Sequence, residues 1–242
     1  MEKVSSNSQN NKYFCTEHLK ADLKEHSVRG GMTTMVAQAF KFCLTLCSNV
    51  ILARLLTPQD YGLVGMVTAV TGFVGIFKDL GLSMATVQKE EINHEQVSTL
   101  FWVNVVLSIT AALLTLVLAP GIASFYKEPR LIWITIALAS GFVVSGLGVQ
   151  HSALLNRQMQ YKVLVLNDIV SMLAGVIAAI VAASCGSGYW ALIILPIVTA
   201  AVSTIGCWIA CSWRPGLPRR KSGVASMLAF GGNLTGFTII NY

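Results

Sequence analysis

The chain has 242 residues, of which 54% are hydrophobic and 12% charged, with a formal net charge of +6. Soluble domains carry about 25% charged residues, so this balance cannot cover a globular surface with polar groups and argues against a water-soluble fold. The positive charge is scattered over several loops without an aromatic platform or recognition motif, which argues against a nucleic-acid surface.

An apolar stretch of about 18 residues or more crosses the roughly 30 Å hydrocarbon core of a bilayer. Residues 1–29 form a polar tail that lacks the apolar core and cleavage site of a signal peptide. The first span is therefore expected to direct insertion. Six spans follow at about 31–56, 61–80, 98–120, 131–151, 163–184 and 189–212, which makes 30–212 a six-helix lobe. Asp, Glu, Lys and Arg are absent between Glu95 and Lys127, from Leu131 to Asn156 and from Ile169 to Trp213. The last of these runs is long enough for two crossings, and Cys185-Gly186-Ser187-Gly188 divides it as a tight turn. Residues 213–223 read as a basic cytoplasmic linker and 224–242 as the start of a seventh span. Because the chain stops inside that apolar segment, it is expected to be a piece of something longer.

Thirteen of the 17 Lys and Arg fall in the tail and in alternate loops on its side of the membrane. Arg54, Lys127 and Arg130 lie opposite, and Lys41 alone lies inside a span. Cationic loops resist translocation, which places the N-terminus in the cytoplasm.

No motif in the sequence carries covalent chemistry. Cys43/Cys47 and Cys207/Cys211 are each four apart on one helix face, but no His or carboxylate accompanies them at ligand spacing. They read as small packing residues, with no disulfide framework. His18, His26 and His94 fall in cytoplasmic segments, and His151 reads as an interfacial residue at a span end. There is no nucleophile elbow, P-loop or zinc-protease motif. No catalytic residue, metal site or cofactor is expected, so the chain reads as a non-enzyme, and any transport needs a gradient. Ala174, Ala178 and Ala182, together with Gly232/Gly236, read as helix contacts through small residues. Trp133, Trp190 and Trp213, with Tyr126 and Tyr189, read as the aromatic belt at the headgroups.

Lys41 is the informative residue. A lone Lys at a helix centre costs about 2.5–3.5 kcal/mol on the gentler insertion scale. Gln38, Lys41, Thr45 and Asn49 are spaced three, four and four apart and form one stripe of a helix, extended by Thr34. Val36, Phe40, Cys43, Cys47 and Val50 occupy the other side. Such a stripe faces a wet lumen or partner polar groups. Three readings stand: Lys41 lines a lumen, Lys41 pairs with a carboxylate on another helix, or the span is shifted. In the first, the stripe carries no carboxylate of its own, so the lumen is cationic and takes an anionic ligand. Lys78, Asp79 and Asp168 form a candidate cytoplasmic gate, or simply interfacial charge at helix ends.

Several stretches resemble the polysaccharide transporter family of the MATE-like (MOP) superfamily, the Wzx-type flippases. They are "ILARLLTPQDYGLVGM" (Ile51 to Met66), "FKDLGLSMATVQKE" (Phe77 to Glu90), "FYKEPRL" (Phe125 to Leu131), "ALLNRQMQYKVL" (Ala153 to Leu164), "GYWALI" (Gly188 to Ile193) and "WRP" (Trp213 to Pro215). The subgroup resembled is the lipopolysaccharide and colanic-acid type. The resemblance implies two six-helix lobes around a central cleft, of which this chain matches the N-terminal one plus the start of the next. It also implies a bacterial inner-membrane protein that flips undecaprenyl-diphosphate-linked repeat units, with a polysaccharide polymerase and glycosyltransferases as candidate partners. Lys41 would then hold the diphosphate, with Gln38, Thr45 and Asn49 bonding to sugar or phosphate. Alternatives are a MATE-type cation or drug antiporter lobe, a membrane glycosyltransferase or acyltransferase, and an inactive truncated fragment. The antiporter would favour acidic lumen residues, and the enzyme needs a carboxylate or His cluster that the loops do not offer.

Overall fold

The computed structural model describes residues 23–76, 82–89 and 92–218, and every regular element in them is an α-helix. In chain order these are α1 (Leu23–Leu55), α2 (Pro58–Ile76), α3 (Leu82–Gln88), α4 (His94–Tyr126), α5 (Arg130–Gly146), α6 (Val149–Arg157), α7 (Tyr161–Ser184) and α8 (Trp190–Ala210). Five stretches are long and apolar enough to cross a membrane: Thr34–Leu55, His94–Tyr126, Arg130–Arg157, Tyr161–Ser184 and Trp190–Ala210. In hydrocarbon only a helix or a closed barrel satisfies its own backbone. The chain is an all-α polytopic membrane protein. The first helix begins at Leu23, inside the expected tail, and α2 represents the second expected span. The end of that span, the seventh span and Gly232/Gly236 lie outside the described residues.

The helices form a row in the order α1, α7, α8, α5, α4, with α2 laid over α5 and α4. α1 and α2 join through a turn at Leu56 and Thr57 yet pack at different places along the row, so among the described residues no helix closes over the face of α8 between them. The turn is held by a reciprocal cap. The Thr57 backbone N–H and hydroxyl donate to the Asp60 carboxylate at 3.0 and 2.7 Å, and the Asp60 N–H donates back to the Thr57 hydroxyl at 3.3 Å. These donors hold the Asp60 pKa below the ordinary carboxylate value. Pro58 then sits at the first helical position, where its missing N–H costs nothing.

Close packing replaces the hydrophobic drive that lipid removes. On α7 the buried small residues are Ser171, Gly175, Ala179 and Ala183, one position on from the expected Ala174, Ala178 and Ala182. Both registers are small in the sequence, so spacing alone cannot tell which one meets the partner. The structure decides it: a Cβ on Gly175 would lie 2.1 Å from Thr199 Oγ1 and 2.8 Å from the Leu195 carbonyl oxygen of α8.

The expected span 131–151 is broken at Leu147-Gly148, between α5 and α6. Carbonyls beside the break receive donors from α8: Trp208 Nε1 to Leu147 O at 2.9 Å and Thr204 Oγ1 to Val144 O at 3.0 Å. Non-helical backbone at membrane depth persists only when paired in this way. At the same end Arg157 donates to the carbonyls of Thr86, Val87 and Lys89 and so caps the C-terminus of α3.

Two expectations about ring residues are corrected. Trp133 is 65% exposed, as a belt residue should be, but Trp213 and His151 are fully buried. His151 stacks on Trp208 with ring centroids 4.4 Å apart, and Phe101 and Trp213 complete the cluster. The reason is that the chain leaving α8 folds back onto the start of α4. Trp213 Nε1 donates to His94 Nδ1 at 3.0 Å, the Gly216 N–H donates to Ser98 Oγ at 3.0 Å, and Trp102 Nε1 donates to Gly216 O at 2.9 Å.

Candidate functional site

The contact face of α1 runs through Ala37, Ser48, Leu52 and Leu56, with Lys41 and Leu44 half-buried beside them, and α7 is the helix it packs against. Gln38, Thr45 and Asn49 are exposed along one flank, while Val36, Phe40 and Val50 are exposed on the other side. Continued by three and four residues, the polar stripe becomes Leu52 and Leu56. These belong to one apolar cluster with Ala179 and Ala183 of α7 and Ala191, Leu192 and Leu195 of α8, beside Tyr61 of α2. The stripe therefore runs beside the face of α1 that packs on α7.

Lys41 has a partner. Its Nζ lies 2.8 Å from Asp168 Oδ2 on α7, with the two side chains 31% and 47% exposed. The sequence posed lumen and ion pair as alternatives; the structure shows the cross-helix pair, with both side chains partly exposed. Thr45 donates its hydroxyl to the Lys41 carbonyl at 2.8 Å, which leaves only its oxygen lone pairs for another group. Lys78 and Asp79, the other members of the candidate gate, lie outside the described residues. Among the described residues no cluster of His, Cys, Asp or Glu is arranged to hold a metal.

The open face carries a cleft that sequence reasoning missed. Two cavities of about 380 and about 370 Å³ lie end to end and share Ser145 and Ala200. The first is walled by α2, α5 and α8, and the second by α3, α5, α6 and α8. Leu192, Pro196, Ala200, Ser203 and Cys207 form the α8 floor. Among the described residues no charged side chain lines either cavity; the polar groups include Thr68, Thr71, Ser152, Asn156 and Thr204. The four residues of the α1 stripe do not line them either. A bridge joins the two regions: Asn167, next to Asp168, donates through Nδ2 to Ser203 O at 3.1 Å and lies 3.4 Å from Cys207 Sγ. The signal available in the sequence was Thr68 and Thr71 with Gly72 and Gly75, polar and small residues at helical spacing inside an apolar span.

Comparison with known proteins gives this geometry its context. Residues 51–242 match the model of a family described as "Polysaccharide biosynthesis protein". The lipopolysaccharide biosynthesis protein WzxC of Escherichia coli (strain K12) is 28% identical over 226 residues, covering 91% of this chain and 45% of the relative. An uncharacterized membrane protein in the cps region of Klebsiella pneumoniae is 30% identical over 153 residues, 63% of this chain and 32% of the relative. The succinoglycan biosynthesis transport protein ExoT of Rhizobium meliloti (strain 1021) is 26% identical over 211 residues, 86% and 42% respectively. The chain thus spans less than half the length of these relatives, and no solved structure matches it. The resemblance read from the loop motifs is borne out, and the chain belongs to the polysaccharide biosynthesis protein family.

Proposed function

We propose that this chain is one lobe of a bacterial inner-membrane exporter, N-terminus cytoplasmic, that translocates undecaprenyl-diphosphate-linked oligosaccharide repeat units. They would serve lipopolysaccharide, O-antigen or exopolysaccharide synthesis. The observation that carries the reading is a hydroxyl-bearing cleft that no described charged residue lines, together with a partly exposed Lys41–Asp168 ion pair between two apolar helices. A saccharide needs hydrogen-bonding groups at membrane depth, and a diphosphate needs a cation it can reach. Lys41 supplies that cation only when the anion competes with Asp168 for the ammonium, so the pair acts as a contact that exchanges partners. A second lobe would supply the facing wall, with rocking between lobes giving alternating access. The work is transport, with no covalent chemistry. A cation antiporter fits less well, because the Asp168 carboxylate already has Lys41 as its counter-ion.

The test is capture of the cargo. With a photoreactive amino acid in place of Asn49, illumination in polysaccharide-producing cells is expected to yield an adduct with the mass of a polyprenyl-diphosphate saccharide. Adducts with phospholipid alone would overturn the reading.

A further inference from the structure

We propose that the α2 side of the cleft is a recognition wall for the hydroxyl groups of uncharged sugar residues and that it excludes the diphosphate. This assignment rests on the exporter reading above and on which way the hydroxyl protons point. Thr68 Oγ1 lies 2.7 Å from the Val64 carbonyl oxygen, and Thr71 Oγ1 lies 3.1 Å from that of Val67. Ser145 Oγ lies 3.1 Å from the Phe142 carbonyl, and Thr204 Oγ1 lies 3.0 Å from that of Val144. A carbonyl has no proton to give, so in each pair the hydroxyl is the donor. What Thr68 and Thr71 then present to the cavity is oxygen lone pairs.

Among the described residues the rest of that cavity adds no free side-chain charge. Its other walls are Gly, Val, Leu, Ile, Ala, Pro and Phe142, with Ser145, whose hydroxyl donates to the Phe142 carbonyl, at the shared end. A sugar hydroxyl can donate to such a wall. A diphosphate, which at neutral pH has acceptors and almost no protons, meets lone pair against lone pair. The cavity beyond Ser145 is mixed, since Asn156 brings a carboxamide with two donors. The two ends of a lipid-linked sugar are thereby sorted across the groove. The saccharide lies against α2 and α5, and the diphosphate lies against α1 and α7, where the Lys41 ammonium is.

The chain in lipid nanodiscs, titrated with a neutral methyl hexoside and read by saturation-transfer NMR, tests this. Transfer to the glycoside is expected. It should fall at least fivefold in Thr68→Val/Thr71→Val, which keeps shape and removes both acceptors, and it should persist in Thr68→Ser/Thr71→Ser. Inorganic pyrophosphate should leave the signal unchanged at equal concentration. An undiminished signal in the Val pair, loss of the signal in the Ser pair, or displacement by pyrophosphate would overturn the assignment. Photocapture at Asn49 separates the two readings. If only the recognition wall is wrong, Thr68→Val/Thr71→Val still yields the polyprenyl-diphosphate adduct. If the exporter reading is wrong, the parent chain yields none.

Discussion

Neutralising either member of the Lys41–Asp168 pair alone should abolish or sharply reduce polysaccharide export and lower the amount of folded protein, while neutralising both should restore the protein level without restoring export. Lys41→Gln leaves Asp168 without its counter-ion, and Asp168→Asn leaves Lys41 alone in a span. Breaking a fully buried pair costs about 3–5 kcal/mol. Both of these side chains are partly exposed, so screening reduces the expected cost to about 1–3 kcal/mol. Lys41→Gln/Asp168→Asn removes both charges, and with them the penalty of an unpaired ion. The double-mutant cycle therefore separates two roles that a single substitution confounds. Export measured as surface polysaccharide, with protein level measured by immunoblot, checks this. If the double variant exports normally, the pair serves only to hold α1 on α7.

Gly175→Leu is expected to be the most damaging single change in the packing of the helix row. The Cβ it introduces would sit 2.1 Å from Thr199 Oγ1 and 2.8 Å from the Leu195 carbonyl oxygen. The second contact is with backbone, which no rotamer change relieves. Overpacking a tight interface costs about 1–3 kcal/mol, and the addition of a whole Leu side chain puts this case at or above the upper end. Adding Thr199→Ala removes the first clash and leaves the second, so rescue should be partial. Because α7 carries Asp168 and α8 forms the cleft floor, the shift would disturb both regions together. Thermal unfolding of the purified chain in detergent checks the stability loss; an unchanged midpoint would mean that α7 and α8 are not packed in this register.

The architecture was largely legible because the membrane imposes a simple rule on the sequence: long runs without charge, separated by cationic loops and glycine turns. Cys185 to Gly188 shows it, with Gly186 and Gly188 at φ of +77° and +56° where the sequence placed a turn. What could not be read was which face of each helix meets which neighbour. Ala174 and Gly175 begin equally plausible small-residue stripes, and only the approach of Thr199 selects between them. Lys41 was visible as an anomaly, but Asp168 is 127 residues away, and its own helix gives no sign that it faces α1. The cleft escaped because hydroxyls in apolar spans usually do no more than bond to their own backbone. Their grouping around one cavity is a property of the assembled row. Trp213 was misread for the same reason: its position after the last span suggests a headgroup residue, and nothing local shows the return to His94.

The claim on which the account stands is that the polar flank of α1 faces water while its apolar flank faces lipid. With all six native cysteines replaced by Ala, single cysteines are placed at Gln38, Thr45 and Asn49, and for comparison at Val36, Phe40 and Val50 on the apolar flank. Each is challenged with a membrane-impermeant maleimide on inside-out and right-side-out vesicles. Labelling is expected at Gln38, Thr45 and Asn49 from at least one side, with protection at Val36, Phe40 and Val50. Labelling at Val36, Phe40 and Val50 with protection of the other three would contradict it.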